Sequence, residues 1–246
     1  MQKGVEIMQR TLKKNPAELA TISHCLKSSS LFGGLSGKEL ETLAAGAKLI
    51  YKKKGSVIYQ KDDSSSYLYL INFGYVIESV FYGASVDVLI KVRSTGEYFG
   101  EMGILSNTTY PNTAIALEDT SLVAISRTSF LDTIWNSTSV CRVIIMELID
   151  RLNNSAQNMV NSMYLDASGR LAFTLVNLTT NNRNKCMNIR VTQSALAASA
   201  GMARQTAAKI LGEWRRQGII STERGRLCIL KQDELLDIIL HSEIEG

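Results

Sequence analysis

The sequence predicts an α+β chain in three parts: a small all-β sandwich or barrel, one long helix, and a winged helix-turn-helix. Three observations predict it. Between Leu49 and Ile125 the apolar residues come in short runs rich in Val, Ile and Tyr, separated by Gly, Asn, Asp or Ser. From Thr138 to Ser168 the apolar period becomes helical, with neither Pro nor Gly to interrupt it. From Thr192 onward a helix, a glycine break and a second helix lead into two short strand-like segments rich in arginine.

The bulk properties leave room for this architecture and remove others. The chain has 246 residues, 45% hydrophobic and 20% charged, which suits one large core or two modest ones. No apolar run reaches the roughly 18 to 20 residues a membrane helix needs. The opening "MQKGVEIMQRTLKKNPAEL" lacks the apolar centre of a signal peptide, so a cytoplasmic protein without membrane contact is expected. On that expectation the glycosylation-like triplets at Asn107 and Asn136 arise by chance. Cys25, Cys141, Cys186 and Cys228 are far apart and only His24 and His241 join them, so no metal site or cofactor is expected and four reduced thiols are. No catalytic Ser-His-Asp set and no phosphate-binding P-loop occurs, so an enzyme is not expected.

A polar, helical N-terminal arm is expected over 1–30. The β domain, 31–135, follows in "SVIYQ", "YLYLI", "YVIESVFY", "VDVLIKV" and "SLVAI", short antiparallel strands with Gly55, Gly74, Gly83, Gly96, Gly100 and Gly103 at or near the turns. The long helix, 136–165, carries Cys141, Ile145, Leu148, Leu152, Ser155, Met159 and Ser162 at alternating spacings of four and three. Such a seam is too long to be covered by a small sandwich alone, so pairing with a second copy in a symmetric homodimer is expected. The last part, 166–246, begins at a hinge near Asp166, whose side chain suits an N-cap.

The C-terminal stretch "VTQSALAASAGMARQTAAKILGEWRRQGII" carries the strongest pattern. Ala197, Gly201 and Ala207 are small where two helices must cross closely, and Leu196, Ala200, Met202 and Ile210 supply apolar contacts. Between Arg190 and Lys231 eight basic residues face two acidic ones, the field a polyanion requires. On the second helix, Arg204 suits guanine, Gln205 suits adenine and Lys209 a guanine or phosphate. Gln193 and Thr206 suit phosphates. Strands at Ile219–Thr222 and Arg226–Leu230 read as a wing, with Arg226 placed for a backbone contact.

In this order the parts resemble the CRP/FNR family of bacterial transcription regulators. "KKGSVIYQKDDSSSYLYLINFGYVI" is similar to its opening strands, "GEYFGEMGIL" to its ligand loop, "LDASGRLAFTLVNL" to its hinge and "VTQSALAASAGMARQTAAKIL" to its DNA reader. The resemblance implies a cyclic-nucleotide-binding-like β-roll of the double-stranded jelly-roll type, a dimerisation helix and a winged helix-turn-helix. It implies as partners double-stranded DNA, a small-molecule effector, a second copy of the chain and RNA polymerase.

The ligand loop departs from the family's nucleotide-binding pattern. Glu101 and Gly100 match the residues that hold the ribose, but the arginine-containing pair that binds the phosphate reads Asn112-Thr113, and of two helix hydroxyls only Ser155 remains beside Ala156. Asp62 replaces a glycine after the first strand. Losing the arginine removes a charge-assisted contact worth about 1.5 to 3 kcal/mol. The expected effector is therefore a small molecule other than cyclic AMP, lined by Phe99, Met102, Tyr110 and Thr113; Phe99 and Tyr110 have an equally good reading as core. "YPNTAIALED" is also similar to the halorespiration regulators of this family, which sense aromatic acids. The alternatives are a cyclic AMP-binding regulator of the same fold, or a thiol redox sensor acting through Cys141 on the dimer stripe.

Overall fold

The computed structural model describes residues 15–82, 86–180, 186–187, 193–223 and 226–242. Two N-terminal helices, α1 (Pro16–Ser28) and α2 (Gly37–Gly46), precede the strands β1 (Lys48–Lys52), β2 (Val57–Tyr59), β3 (Tyr67–Phe73), β4 (Val76–Tyr82), β5 (Val86–Arg93) and β6 (Tyr98–Phe99). A short helix α3 (Glu101–Leu105) leads to β7 (Thr113–Ala116) and β8 (Thr120–Ser126), then α4 (Arg127–Asn136) and the long α5 (Thr138–Tyr164). Beyond it lie α6 (Ala167–Thr180), β9 (Cys186–Met187), α7 (Gln193–Ser199), α8 (Arg204–Arg216), β10 (Ile220–Glu223), β11 (Arg226–Ile229) and α9 (Gln232–His241). Among the described residues no helix is long and apolar enough to cross a membrane.

The β domain is two four-stranded antiparallel sheets, β1-β8-β3-β6 and β2-β7-β4-β5, packed face to face. Their facing side chains form an aromatic interior of Tyr59, Tyr69, Phe99 and Tyr110 with Ile71, Val76 and Leu122. The outer face of the first sheet is covered by α1, α2 and α4, with Ile22, Leu26, Phe32 and Phe130 buried against Leu68 and Leu70. The expected polar arm is thus amphipathic from Pro16 on, and α1 belongs to the core of the β domain.

The second sheet is covered by the C-terminal part. Val92 of β5 lies in one core with Leu171 of α6 and Leu196 and Ala197 of α7, and Ile77 of β4 packs against the same core. Strand alternation explains this. On β4 and β5 the residues Ile77 and Val92 face the helix-turn-helix, while their neighbours Glu78 and Arg93 face the roll interior.

The long helix runs from Thr138 to Tyr164, and Val140 and Ile144 anchor its first turns in the core that α1, α2 and α4 share with the first sheet. Ile145, Leu152 and Met159 of the predicted seam are exposed, and Leu152 keeps 71% of its surface. The helix stops just before Asp166, whose Oδ1 accepts the amide of Gly169 at 2.7 Å as the expected N-cap.

The wing strands fall within one residue of the predicted ones, and β9 adds a third strand, in the order β10-β11-β9. This corrects the expectation of four reduced thiols: Cys228 is disulfide-bonded, and β11 sets it opposite Cys186 of β9 in the backbone register. Spacing along the chain gave no hint of it because strand pairing brings distant positions together. Cys25 and Cys141 are free.

Candidate functional site

The turn that forms the ligand loop needs a particular backbone. Gly100 is left-handed at φ 86°, and a Cβ there would meet the carbonyl oxygen of Tyr67 at 3.1 Å and the Tyr110 ring at 3.2 Å. This tight turn starts α3 and drives Glu101 into the protein, where 2% of it is exposed. Asp62 is left-handed at φ 71°, a conformation that favours glycine, and its amide donates to the carbonyl of Tyr110 at 2.9 Å.

No Lys or Arg lies between Gly96 and Ala116, and two arginines approach this stretch from outside it. Arg93, the last residue of β5, donates from Nε to Glu78 Oε2 at 2.6 Å, with both side chains almost wholly buried. Asn112 Nδ2 donates to the other Glu78 oxygen at 3.0 Å, and Asn112 Oδ1 accepts the Tyr59 hydroxyl at 3.1 Å. From the long helix, Arg151 bonds Glu101 at 2.5 Å and Glu147 at 2.6 Å, while the Tyr98 hydroxyl donates to Glu147. Five charged side chains from β4, β5, α3 and α5 thus form one network across the junction of roll and helix.

The electrostatics follow from burial and from these partners. Burial pushes the Glu101 carboxyl above the ordinary carboxylate range, although Arg151 pulls the other way. Burial also opposes the charge of Glu147, but the Tyr98 hydroxyl and Arg151 outweigh it and hold that carboxyl below its ordinary value. Burial and the nearby Arg93 pull the Lys91 ammonium down. Burial disfavours the charge of Arg93 as well, yet Glu78 and Glu101 keep its guanidinium firmly protonated.

Of the predicted effector residues the structure brings Phe99, Gly100, Glu101, Tyr110, Asn112 and Thr113 together inside the roll. Met102 is 43% exposed on α3 and Ser155 is exposed on α5, so neither lies in that buried cluster. Phe99 stacks on Tyr69, and Tyr110 stacks on Tyr59 at 3.7 Å between ring centres. The Tyr110 hydroxyl is engaged by the backbone of Tyr67, donating to its carbonyl at 2.6 Å and accepting its amide at 3.0 Å. Thr113 Oγ1 accepts the amide of Lys61 at 3.0 Å. Sequence reasoning missed Glu78, Arg93, Glu147 and Arg151. A signal was present for Glu78 and Arg93, since charged residues at inward positions of alternating strands, in "VIESV" and "IKVR", are anomalous unless paired.

The helix-turn-helix forms from the small residues as expected. Gly201 is left-handed at φ 62°, and the amide of Met202 closes the turn on the carbonyl of Ala197 at 2.9 Å. On α8, Ala207, Leu211 and Trp214 are buried, whereas Arg204, Gln205, Thr206 and Lys209 are exposed. Gln193 is exposed at the start of α7, and Arg226 opens β11 in the wing. Arg215 Nη1 reaches Thr222 Oγ1 at 3.3 Å, tying α8 to the wing. The capping role expected of Thr192 lies outside the described residues.

Comparison with known proteins agrees with both halves of this picture. The cyclic nucleotide-binding domain family matches residues 49–136, and the Crp-like helix-turn-helix domain family matches residues 169–238. The chain is 27% identical over 195 residues to the cyclic AMP receptor protein of Thermus thermophilus, covering 79% of this chain and 89% of that one. It is 24% identical over 175 residues to the cAMP-activated global transcriptional regulator CRP of Haemophilus influenzae, covering 69% and 78%. Among solved structures, FixK2 from Bradyrhizobium japonicum shares the fold with a TM-score of 0.67 at 18% identity, over 78% of this chain and 96% of that one.

Proposed function

The chain belongs to the CRP/FNR family of transcription regulators, and from that premise we propose that it works as an effector-gated homodimer on a pseudo-palindromic DNA site. The observation that carries the reading is the sidedness of α8. Its apolar residues are spent on the domain core, and Arg204, Gln205, Thr206 and Lys209 are left free for bases and phosphates. The apolar face of α5 supports the dimer, since Ile145, Leu148, Ile149, Leu152 and Met159 are all exposed in the single chain. Pairing these helices would set two copies of α8 about 34 Å apart, one turn of DNA.

The effector we assign to the junction of roll and long helix is a small molecule other than cyclic AMP. The groups that match the family's nucleotide clamp are engaged internally: Glu101 by Arg151, and Asn112 by Tyr59 and Glu78. A phosphodiester placed beside Asn112 would also meet Glu78, which already takes up the buried charge of Arg93 at 2.6 Å and would compete with the phosphate for it. Coupling to the reader has a short physical route through β5, which bears Arg93 on its inner face and Val92, packed on α6 and α7, on its outer face. RNA polymerase is the partner that the family implies, and the cytoplasm the compartment.

Arg204→Ala tests the base-reading role. It should abolish discrimination between an operator selected from random DNA and a scrambled duplex while leaving the circular dichroism spectrum and the oligomeric state unchanged. Retained discrimination would remove α8 as the reader.

A further inference from the structure

Beside the charged network, β5, β6 and α5 line a half-open cleft of about 300 Å³ bordered by Lys91, Arg93, Tyr98, Glu147, Asp150 and Arg151 among others. Its volume suits a small ligand. Three cations face it, and although Arg93 Nε and the Arg151 Nη atoms are tightly paired, each cation keeps donor capacity that is poorly met. Lys91 Nζ lies 3.7 Å from Glu97, and Arg93 Nη1 lies 3.8 Å from Glu97 and 3.6 Å from Glu147, all beyond hydrogen-bond length. Among the described residues, Arg151 Nε is buried with no acceptor, an orphaned donor of the kind that native interiors rarely leave.

One carboxylate occupies the middle of this arrangement. Glu147 is approached by Arg151 Nη2 at 2.6 Å, by Arg93 Nη1 at 3.6 Å and by the Tyr98 hydroxyl, three groups converging on one anion. We propose that this is an exchangeable anion site in which Glu147 is the internal occupant, and that the effector carries a small organic carboxylate that takes its place. The inference rests on the regulator reading above and names the chemistry its effector presents.

Charge decides why exchange, and not addition, is the mode of entry. Glu78, Glu97, Glu101, Glu147 and Asp150 oppose Lys91, Arg93 and Arg151 in and around the cleft, so carboxylates are already in excess. An added anion would meet that excess, whereas one that displaces Glu147 toward solvent leaves the balance unchanged and offers its oxygens to the unpaired Arg151 Nε. Displacement would also break the link between Glu147 and Arg151 one turn apart on α5. Ile145, Leu148 and Ile149 of the exposed apolar face flank that turn, so exchange would be felt at the proposed subunit contact.

Chemical rescue of the full chain tests this. Glu147→Ala should lower the unfolding temperature, and sodium propionate should restore it, with propionamide at least about tenfold weaker at matched ionic strength. Wild type should require about tenfold more propionate for the same shift, because its own carboxylate competes. Should Glu147→Ala fail to fold, Glu147→Gln retains the side-chain volume and should bind propionate more tightly than wild type in calorimetry, a gain that adding Arg151→Met removes. Equal effects of the acid and the amide, or no gain in the Glu147 variants, would overturn the proposal. Non-specific DNA binding at low salt, measured on the same preparations, keeps the two readings apart. Intact DNA binding without rescue rejects only the anion site, and rescue without DNA binding rejects only the regulator.

Discussion

Replacing Arg93 by methionine probes the central pair of the network. The guanidinium and the Glu78 carboxylate meet at 2.6 Å with side chains 5% and 6% exposed, so removing one partner strands a charge where water cannot reach it. Breaking such a buried pair costs about 3 to 5 kcal/mol. Asn112 Nδ2 remains on Glu78 at 3.0 Å and retains part of the compensation, which places the expected loss near the lower end, about 3 kcal/mol. In urea, with a slope of roughly 1 to 3 kcal/mol per molar, the midpoint should fall by about 1 to 3 M. The double variant Glu78→Leu/Arg93→Met removes both charges and should recover most of the loss, giving a coupling energy above about 1.5 kcal/mol in a double-mutant cycle. The cycle is read by circular dichroism on matched samples. A single-variant loss below about 1 kcal/mol, or a double variant as unstable as the single, would refute the reasoning that this ion pair holds the roll interior.

Other predictions test neighbouring parts. Burial raises the folded pKa of Glu101, so the fold binds its proton more tightly than the unfolded chain does. Stability from this group is present below the ordinary carboxylate value and lost as pH rises through the raised one, and Glu101→Gln should flatten that decline in urea titrations carried upward from the ordinary carboxylate range. Glu147 is shifted downward, so its contribution is present above the ordinary value and lost as pH falls through the depressed one; Glu147→Gln should blunt the acid limb. Leu152→Asp, on the exposed face of α5, should shift sedimentation from dimer to monomer with little change in monomer stability; an unaltered dimer would place the subunit contact elsewhere. Cyclic AMP titrated into the protein should give neither heat nor a thermal shift, and micromolar binding would show that another group holds the phosphate.

The family's ligand loop could be read residue by residue, but its furnishing could not. Gly100 and Glu101 are adjacent, and a local turn determines where they point. Arg151 is separated from Glu101 by two strands and a helix, and Arg93 by the turn and short strand β6, so only the packing of β5 and α5 at the loop brings them together. The four-and-three stripe of α5 was legible as an apolar face. That Val140 and Ile144 would anchor in the β domain while Leu152 stayed exposed depended on how the first turns of the helix enter the core shared with α1, α2 and α4.

The sequence by itself determined what is periodic or local: strands from alternation, the long helix from its apolar period, the helix-turn-helix from Ala197, Gly201 and Ala207, and the helix break from the capping side chain of Asp166. Tertiary structure decided what depends on distance through space. It set Cys228 opposite Cys186, packed Val92 beneath the helix-turn-helix, and placed Arg93 and Arg151 where the loop lacks a cation. The physical reason is that backbone conformation follows from neighbours along the chain, whereas Coulomb attraction and burial act between any groups the fold brings within a few ångströms.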